Sequence, residues 1–261
     1  MATDGAAVAV PGVPTGTVNC YVCGRERALL VDPPARDDAI DELLADRTLA
    51  SVAVTHHHPD HAGGVAAYAR EAGATVWCRR GREAAFRRAT GIAPDRTFVD
   101  GTRIPADEPI TVLDAPGHAP ESVAFAAGDA LLVGDAAVAE GSVAVAAPEG
   151  DVRAYLSTLR RIRARSPARL LPGHGPAIDD PAATCERLIA HRLDRERRVL
   201  AAVRDAGART IEEIVTAAYE KDLSGVRELA TATVRAHLEK LAVEGRIEWD
   251  GDRAVPAAEG R

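Results

Sequence analysis

Thr55-His56-His57-His58-Pro59-Asp60-His61-Ala62-Gly63-Gly64 follows the apolar run Ser51 to Val54 and precedes a helical pattern at Val65 to Glu71. A strand that ends in such a loop presents polar side chains at the edge of a sheet. His56 and His58 alternate, so both turn toward one side of an extended segment, while Asp60 and His61 turn toward a neighbouring point. One short loop can therefore feed two adjacent ions, and His57 is expected to point away. A lone histidine is more often a core or surface residue than a ligand. Here the pattern continues: His118 lies in Ala115-Pro116-Gly117-His118-Ala119-Pro120, Asp135 in Val133-Gly134-Asp135, and His174 in Leu171-Pro172-Gly173-His174-Gly175. Each follows an apolar strand and is flanked by glycine, which permits tight turns and close backbone approach. If these strands belong to packed sheets, seven ligand-type side chains gather on one rim.

Upstream, short strands are predicted at Ala7 to Val10, Thr17 to Cys23 and Ala28 to Val31, followed by a helix capped by Asp37 or Asp38. Further strands are predicted at Thr75 to Trp77, Ile110 to Leu113, Val123 to Ala126, Ala130 to Val133 and Arg169 to Leu171. From Pro148 to Arg165, Tyr155, Leu156, Leu159 and Ile162 make the apolar stripe of an amphipathic helix. Pro172, Pro176 and Pro181 punctuate the chain before a long helical stretch from Ala182 to about Ala206. That break divides the chain into a catalytic domain over 1–180 and a C-terminal domain over 181–261. In the second unit Thr210 and Glu213 form a capping box, Leu229 to Val243 a further helix, and Arg246 to Val255 a hairpin around Asp250 and Gly251. This order outlines a winged helix.

The length of 261 residues suits one large core plus a small second domain. A net charge of -7 disfavours phosphate backbones and anionic lipid surfaces. No apolar run is long enough for a membrane span, and Met1 to Val10 has no basic region before its small apolar stretch, so a cytoplasmic location is expected, with no membrane partner. Cys20, Cys23, Cys78 and Cys185 are too few and scattered for a disulfide framework. Cys20 and Cys23 form a C-x-x-C, but residues three apart on a strand face opposite sides, so both are expected as buried filler.

The ordered set H-x-H-x-D-H, Pro-Gly-His, Gly-Asp and Gly-His resembles the ligand motifs of the metallo-β-lactamase superfamily over roughly residues 17 to 180. The resemblance implies an α/β fold, an αββα sandwich, here followed by the winged-helix-like domain. It implies one metal on His56, His58 and His118 and another on Asp60, His61 and His174, with Asp135 bridging. Asp60 and Asp135 resemble the glyoxalase and ribonuclease branches rather than antibiotic-hydrolysing lactamases, so β-lactams are not expected as substrates. Glu121 and Ala136 depart from the family pattern without touching a ligand position. Asn19 and Asp32 fall at the superfamily's early strand pair and supporting aspartate, although an aspartate ending a strand is commonly a turn former. His191 to Arg198, with the segment closing in Leu238 to Glu248, resembles the C-terminal domain of the β-lactamase-like protein 2 family, which includes a single-strand-specific endoribonuclease.

The expected function is hydrolysis of a thioester or other activated ester, as in glyoxalase II, by a hydroxide bridging two zinc ions, with iron or manganese as the other compatible metals. Asp60, Asp135 and His191 are the expected catalytic residues, the two carboxylates by offsetting cationic charge. Cleavage of single-stranded RNA is the alternative enzymatic reading, with RNA as the partner in place of a small molecule. Against it, residues 182–261 hold 14 Lys+Arg and 15 Asp+Glu, and the chain has only nine aromatic residues for base stacking. An alkoxide leaving group benefits from a general acid whereas a thiolate does not; if one is needed, His191 is the candidate. The long helix is expected to place His191 or Arg192 on one wall of the substrate cleft, because only Gly175 to Pro181 separates it from His174. A third reading is a DNA-binding winged-helix regulator with a structural metal site; seven ligands around two ions, with room for water, favour catalysis.

Overall fold

Strand pairing sorts the first two thirds of the chain into two sheets, and alternation along each strand decides which layer a side chain enters. The computed structural model describes residues 3–257 apart from 14, 206, 208 and 221. The first sheet runs in the order β1 (Thr3–Ala9), β2 (Thr17–Cys23), β3 (Ala28–Val31), β4 (Leu49–Ala53), β5 (Thr75–Arg79), β6 (Arg96–Phe98). Pairing is antiparallel to β3 and parallel beyond it. The later strands are reached by crossovers through α1 (Asp38–Leu44), α2 (Pro59–Ala62) with α3 (Val65–Ala72), and α4 (Glu83–Thr90), as parallel pairing requires. In the second sheet β7 (Arg103–Ile104), β8 (Ile110–Asp114), β9 (Val123–Ala127) and β10 (Ala130–Gly134) pair antiparallel. The helix α5 (Val152–Arg165) then crosses to β11 (Arg169–Pro172), parallel to β10.

Tyr21, Leu29, Val31, Phe98, Phe125 and Leu132 fill the layer between the sheets. On the outer face of the first sheet Val22, Leu30 and Val52 pack against Ile40, Tyr68 and Phe86 of α1, α3 and α4. On the outer face of the second, Leu131 and Val133 pack against Tyr155 and Leu159 of α5 and Leu188 of α6 (Pro181–Arg204). The four layers are the αββα sandwich. Each fully buried Leu or Phe contributes roughly 1.5–3 kcal/mol by leaving water. Cys20 enters the outer layer and Cys23 the inner one, so their side chains lie on opposite faces, and all four cysteines are free and buried.

After α6, α7 (Ile211–Ala218) opens on the Thr210–Glu213 capping box, and α8 (Arg227–Val243) leads into the hairpin β12 (Ile247–Trp249) and β13 (Ala254–Pro256). Their core holds Val203, Ile214, Val234, Leu238, Leu241 and Ile247. Helix α6 serves both units: Cys185 and Leu188 pack on the sandwich, Val199, Leu200 and Val203 on the tail. The helix ends at Arg204, and Ala206, near which its end was expected, lies outside the described residues. Strand β1 starts at Thr3 rather than Ala7, because pairing along its whole length with β2 holds it, while Val8 alone of its side chains is buried. Helix α5 starts at Val152 rather than Pro148, since the Asp151 carboxylate accepts from the amides of Arg153 and Ala154 and fixes the first turn. No helix among the described residues is long and apolar enough to cross a membrane.

Candidate metal centre

The rim where β4, β10 and β11 end carries the polar loops, tied together by backbone bonds. Gly173 N–H donates to Gly134 O at 2.8 Å, Asn19 N–H to Gly173 O at 2.7 Å, and Val123 N–H to Thr55 O at 2.9 Å. The Asn19 side chain adds bonds to Pro172 O at 3.0 Å and Gly175 O at 2.7 Å, which fix the turn carrying His174. All seven side chains expected as ligands converge here, in overlapping groups His56/His58/His118, His56/His61/Asp135 and Asp60/His61/His174.

Which ring nitrogen carries the proton follows from the partner of the other one. His118 Nδ1–H donates to Ala144 O at 2.7 Å, His174 Nδ1–H to Thr17 O at 3.0 Å, and His61 Nδ1–H to Asp32 Oδ2 at 3.1 Å. The Thr55 hydroxyl gives its proton to Asp32 Oδ2 at 2.7 Å and so accepts from His56 Nδ1 at 3.1 Å. His58 Nε2 lies 3.0 Å from Glu149 Oε2. In each ring the remaining nitrogen is the one left to bind a metal, as a lone pair or, at His174, after release of its proton, and these nitrogens face one another. His56 Nε2 and His118 Nε2 lie 3.0 and 3.1 Å from His58 Nδ1. His174 Nε2 lies 3.5 Å from Asp60 Oδ2 and 3.4 Å from Asp135 Oδ2, and His118 Nε2 lies 3.7 Å from that same Asp135 oxygen. His61 Nε2 and Asp135 Oδ1, 3.5 Å apart, are both buried without a hydrogen-bond partner. Two adjacent orphans of this kind cost about 1–3 kcal/mol each. The donor separations match the roughly 3.3 Å edge of a tetrahedron of ligands about 2.0–2.1 Å from a metal ion. The residues thus fit divalent cations.

Charge follows the same logic. Burial opposes ionisation of Asp135, but the bond with His174 and the nearby His61 and His118 outweigh it and hold the carboxyl well below the usual range. Burial likewise opposes charge on His174, yet Asp135 and Asp60 push its pKa up to about 10, so in the protein alone a proton there balances the carboxylates. Burial and the surrounding histidines hold His56 neutral.

Asp32, at φ 55 after β3, bonds the Thr55 amide at 2.6 Å as well as the Thr55 hydroxyl and His61. One carboxylate therefore orients His61 directly and His56 through Thr55. Asp32→Asn keeps a residue tolerant of positive φ but removes the charge. Metal affinity is expected to fall about 10- to 100-fold, read by competition with a chromophoric chelator; unchanged affinity removes Asp32 from this role. His57 leaves the cluster and meets Glu121, with Nδ1 2.9 Å from Oε1. His57→Ala is expected to retain the full metal content while losing about 1–3 kcal/mol of stability, because Glu121 is left buried without its partner. Loss of a metal in that variant would mean the loop faces the other way. Glu149, Ala144 and Thr17 escaped the sequence reading, since no local motif marks a carbonyl or a loop carboxylate that will meet a distant histidine.

The cluster floors a cavity of about 630 Å³, lined by His58, Asp60, His118, Asp135 and His174. Its opposite wall comes from α6 and the tail, with His191, Arg192, Arg195, Tyr219 and Leu229. His191 stands in that wall, outside the metal cluster, and burial together with Arg192 and Arg195 holds its pKa down.

Comparison with known proteins agrees with this architecture. The metallo-beta-lactamase superfamily profile matches residues 13–174, and the beta-lactamase associated winged helix domain profile matches residues 210–255. A Beta-lactamase-like protein 2 homolog of Drosophila melanogaster is 26% identical over 258 residues, covering 88% of this chain and 83% of its own length. An atrochrysone carboxyl ACP thioesterase of Aspergillus novofumigatus is 27% identical over 257 residues, covering 89% of this chain and 76% of its own. The crystal structure of a metallo-beta-lactamase family protein from Thermus thermophilus superposes with a TM-score of 0.78 at 26% identity, over 97% of this chain and 98% of that one. The chain belongs to the metallo-beta-lactamase superfamily of metal-dependent hydrolases and carries the winged helix associated with it.

Proposed function

We propose that the chain hydrolyses a small-molecule thioester or activated ester at a two-metal centre. His56, His58 and His118 would hold one ion and Asp60, His61 and His174 the other, with Asp135 between them. The observation that carries the reading is the pair of buried, unpartnered atoms His61 Nε2 and Asp135 Oδ1, set where three overlapping groups of donor atoms meet. Two zinc ions, the metal proposed for a site rich in imidazole, would supply a water of lowered pKa and polarise the carbonyl as Lewis acids. The protein's own contribution is orientation: Asp32, Thr55 and the carbonyls of Thr17 and Ala144 fix the rings, and the cavity wall holds the acyl group over the rim.

A thioester expels a stabilised thiolate that needs no general acid. That suits a wall in which burial and the neighbouring Arg192 and Arg195 hold the pKa of His191 down and so disfavour it as a proton donor. The relative named as an acyl-carrier thioesterase supports the same substrate class. The test is metal-loaded protein assayed in parallel on a panel of acyl thioesters and on unstructured RNA, with elemental analysis of the same sample. Thioester turnover that tracks zinc content is expected; turnover of RNA alone overturns the reading.

A further inference from the structure

The tail carries nearly balanced charge, but the fold segregates it. Asp194 is taken by Arg197 and Arg198, and Glu196 by Lys240 and Arg246. Among the described residues no carboxylate lies within ion-pair distance of Arg192 or Arg195. Both line the cavity above the metal rim. Arg192 is only 4% exposed and donates to Val143 O at 2.6 Å. Arg195 lies over the Tyr219 ring, its guanidinium carbon 3.7 Å from the centroid, and its Nη1 is buried with no hydrogen-bond partner. The uncompensated charge registers on both neighbouring histidines. Burial first, and then Arg192 and Arg195, hold His191 down and take the wholly buried His237 to about 3.

A guanidinium presents a planar fork of N–H donors matched to a carboxylate or phosphate. In a half-enclosed cavity its field is little screened by salt. The flanking surface is apolar: Leu223, Val226 and Leu229 line the same wall, and Val226 and Leu229 are 46% and 47% exposed. The geometry points to an oxyanion subsite on the tail wall, in which Arg195, backed by Arg192, receives a carboxylate or phosphate carried by the substrate at the end away from the scissile bond. The subsite rests on the thioester reading for its place in catalysis. Two cations in a walled pocket suit one small anion; a nucleic-acid backbone calls for an extended basic stripe.

Binding is tested on metal-loaded protein by calorimetric titration with glutarate and, separately, with inorganic phosphate, in the wild type, Arg195→Gln and Arg195→Lys. For at least one of the anions, affinity is expected to fall about 10- to 100-fold in Arg195→Gln and to recover in part in Arg195→Lys, with metal content unchanged. Which of the two responds identifies carboxylate or phosphate. Equal affinity in all three proteins, as when the anions bind only through the metals, overturns the subsite. In a second arm, succinyl and butyryl thioesters of one thiol are compared. Arg195→Gln is expected to raise KM about 10- to 100-fold for the charged acyl group, with kcat and the neutral substrate nearly unaffected. Equal loss on both substrates assigns Arg195 to scaffolding and overturns the proposal. If the wild type turns over neither thioester while an anion still binds through Arg195, the thioester reading fails and the subsite stands.

Discussion

Asp135→Ala is expected to abolish turnover and to lower the metal content of the purified protein. Its two oxygens lie 3.4 to 3.7 Å from the Nε2 atoms of His61, His118 and His174, so this one side chain reaches toward both histidine groups. In the proposed two-metal centre, removing it would leave Asp60 as the sole carboxylate of the candidate ligand groups to offset the charge of the ions. It also leaves His61 Nε2 facing an apolar methyl in a buried site. Loss of a group that merely orients a ligand commonly costs about 10- to 100-fold in metal affinity or activity, so loss of a carboxylate shared by both ions should exceed about 100-fold. Elemental analysis and kcat are read on the same preparation, with Asp135→Asn as the companion that keeps the shape and loses the charge. Two retained ions together with near-normal kcat in the alanine variant would refute the bridging assignment.

The metal rim was legible because each of its motifs is local. A short apolar strand, a glycine and a ligand-type residue recur at His118, Asp135 and His174, and period-two alternation separates His58 from His57 without tertiary knowledge. What escaped depends on partners distant in the chain. The family resemblance marks Asp32 as a supporting aspartate, but its local pattern is only that of a strand-end turn former, and the fold is what brings it to Thr55 and His61, residues 23 and 29 positions away. Strand β1 lacks an apolar alternation because it is an edge held by backbone pairing. Helix α6 reads as one continuous pattern, since a helix handed from one core to another changes its neighbours without changing its period. The charge count of the tail is correct and still misleading: Glu196 and Asp194 are consumed by cations elsewhere, so the arginines left over face the cavity.

Gly173→Ala is expected to leave the sandwich folded while disabling the metal rim. Gly173 precedes His174 and lies where β11 ends, its amide bonded to Gly134 O and its carbonyl to Asn19 N. A Cβ built there would stand 2.5 Å from His61 Cε1 and 2.6 Å from Asp135 Oδ1, both well inside van der Waals contact. Neither neighbour is free to withdraw. His61 is wholly buried and anchored on Asp32, and Asp135 follows directly on Gly134, whose own Cβ would meet Thr55 Oγ1 at 2.3 Å. The backbone at Gly173 is not in the left-handed region, so the harm is steric and local. Overpacking of this kind costs about 1–3 kcal/mol, a drop of several degrees in Tm that leaves the protein folded at assay temperature. A displacement of about 1 Å at a reacting centre costs on the order of 100-fold in rate, and that is the loss expected in kcat, accompanied by weaker metal retention. Gly175→Ala is the contrast: at φ +76 with nothing within 4 Å of its Cβ, it strains the backbone without touching a ligand. It should lose stability while keeping its metals. If Gly173→Ala holds both ions with normal kcat, the close packing of β11 against His61 and Asp135 does not set the geometry of the site.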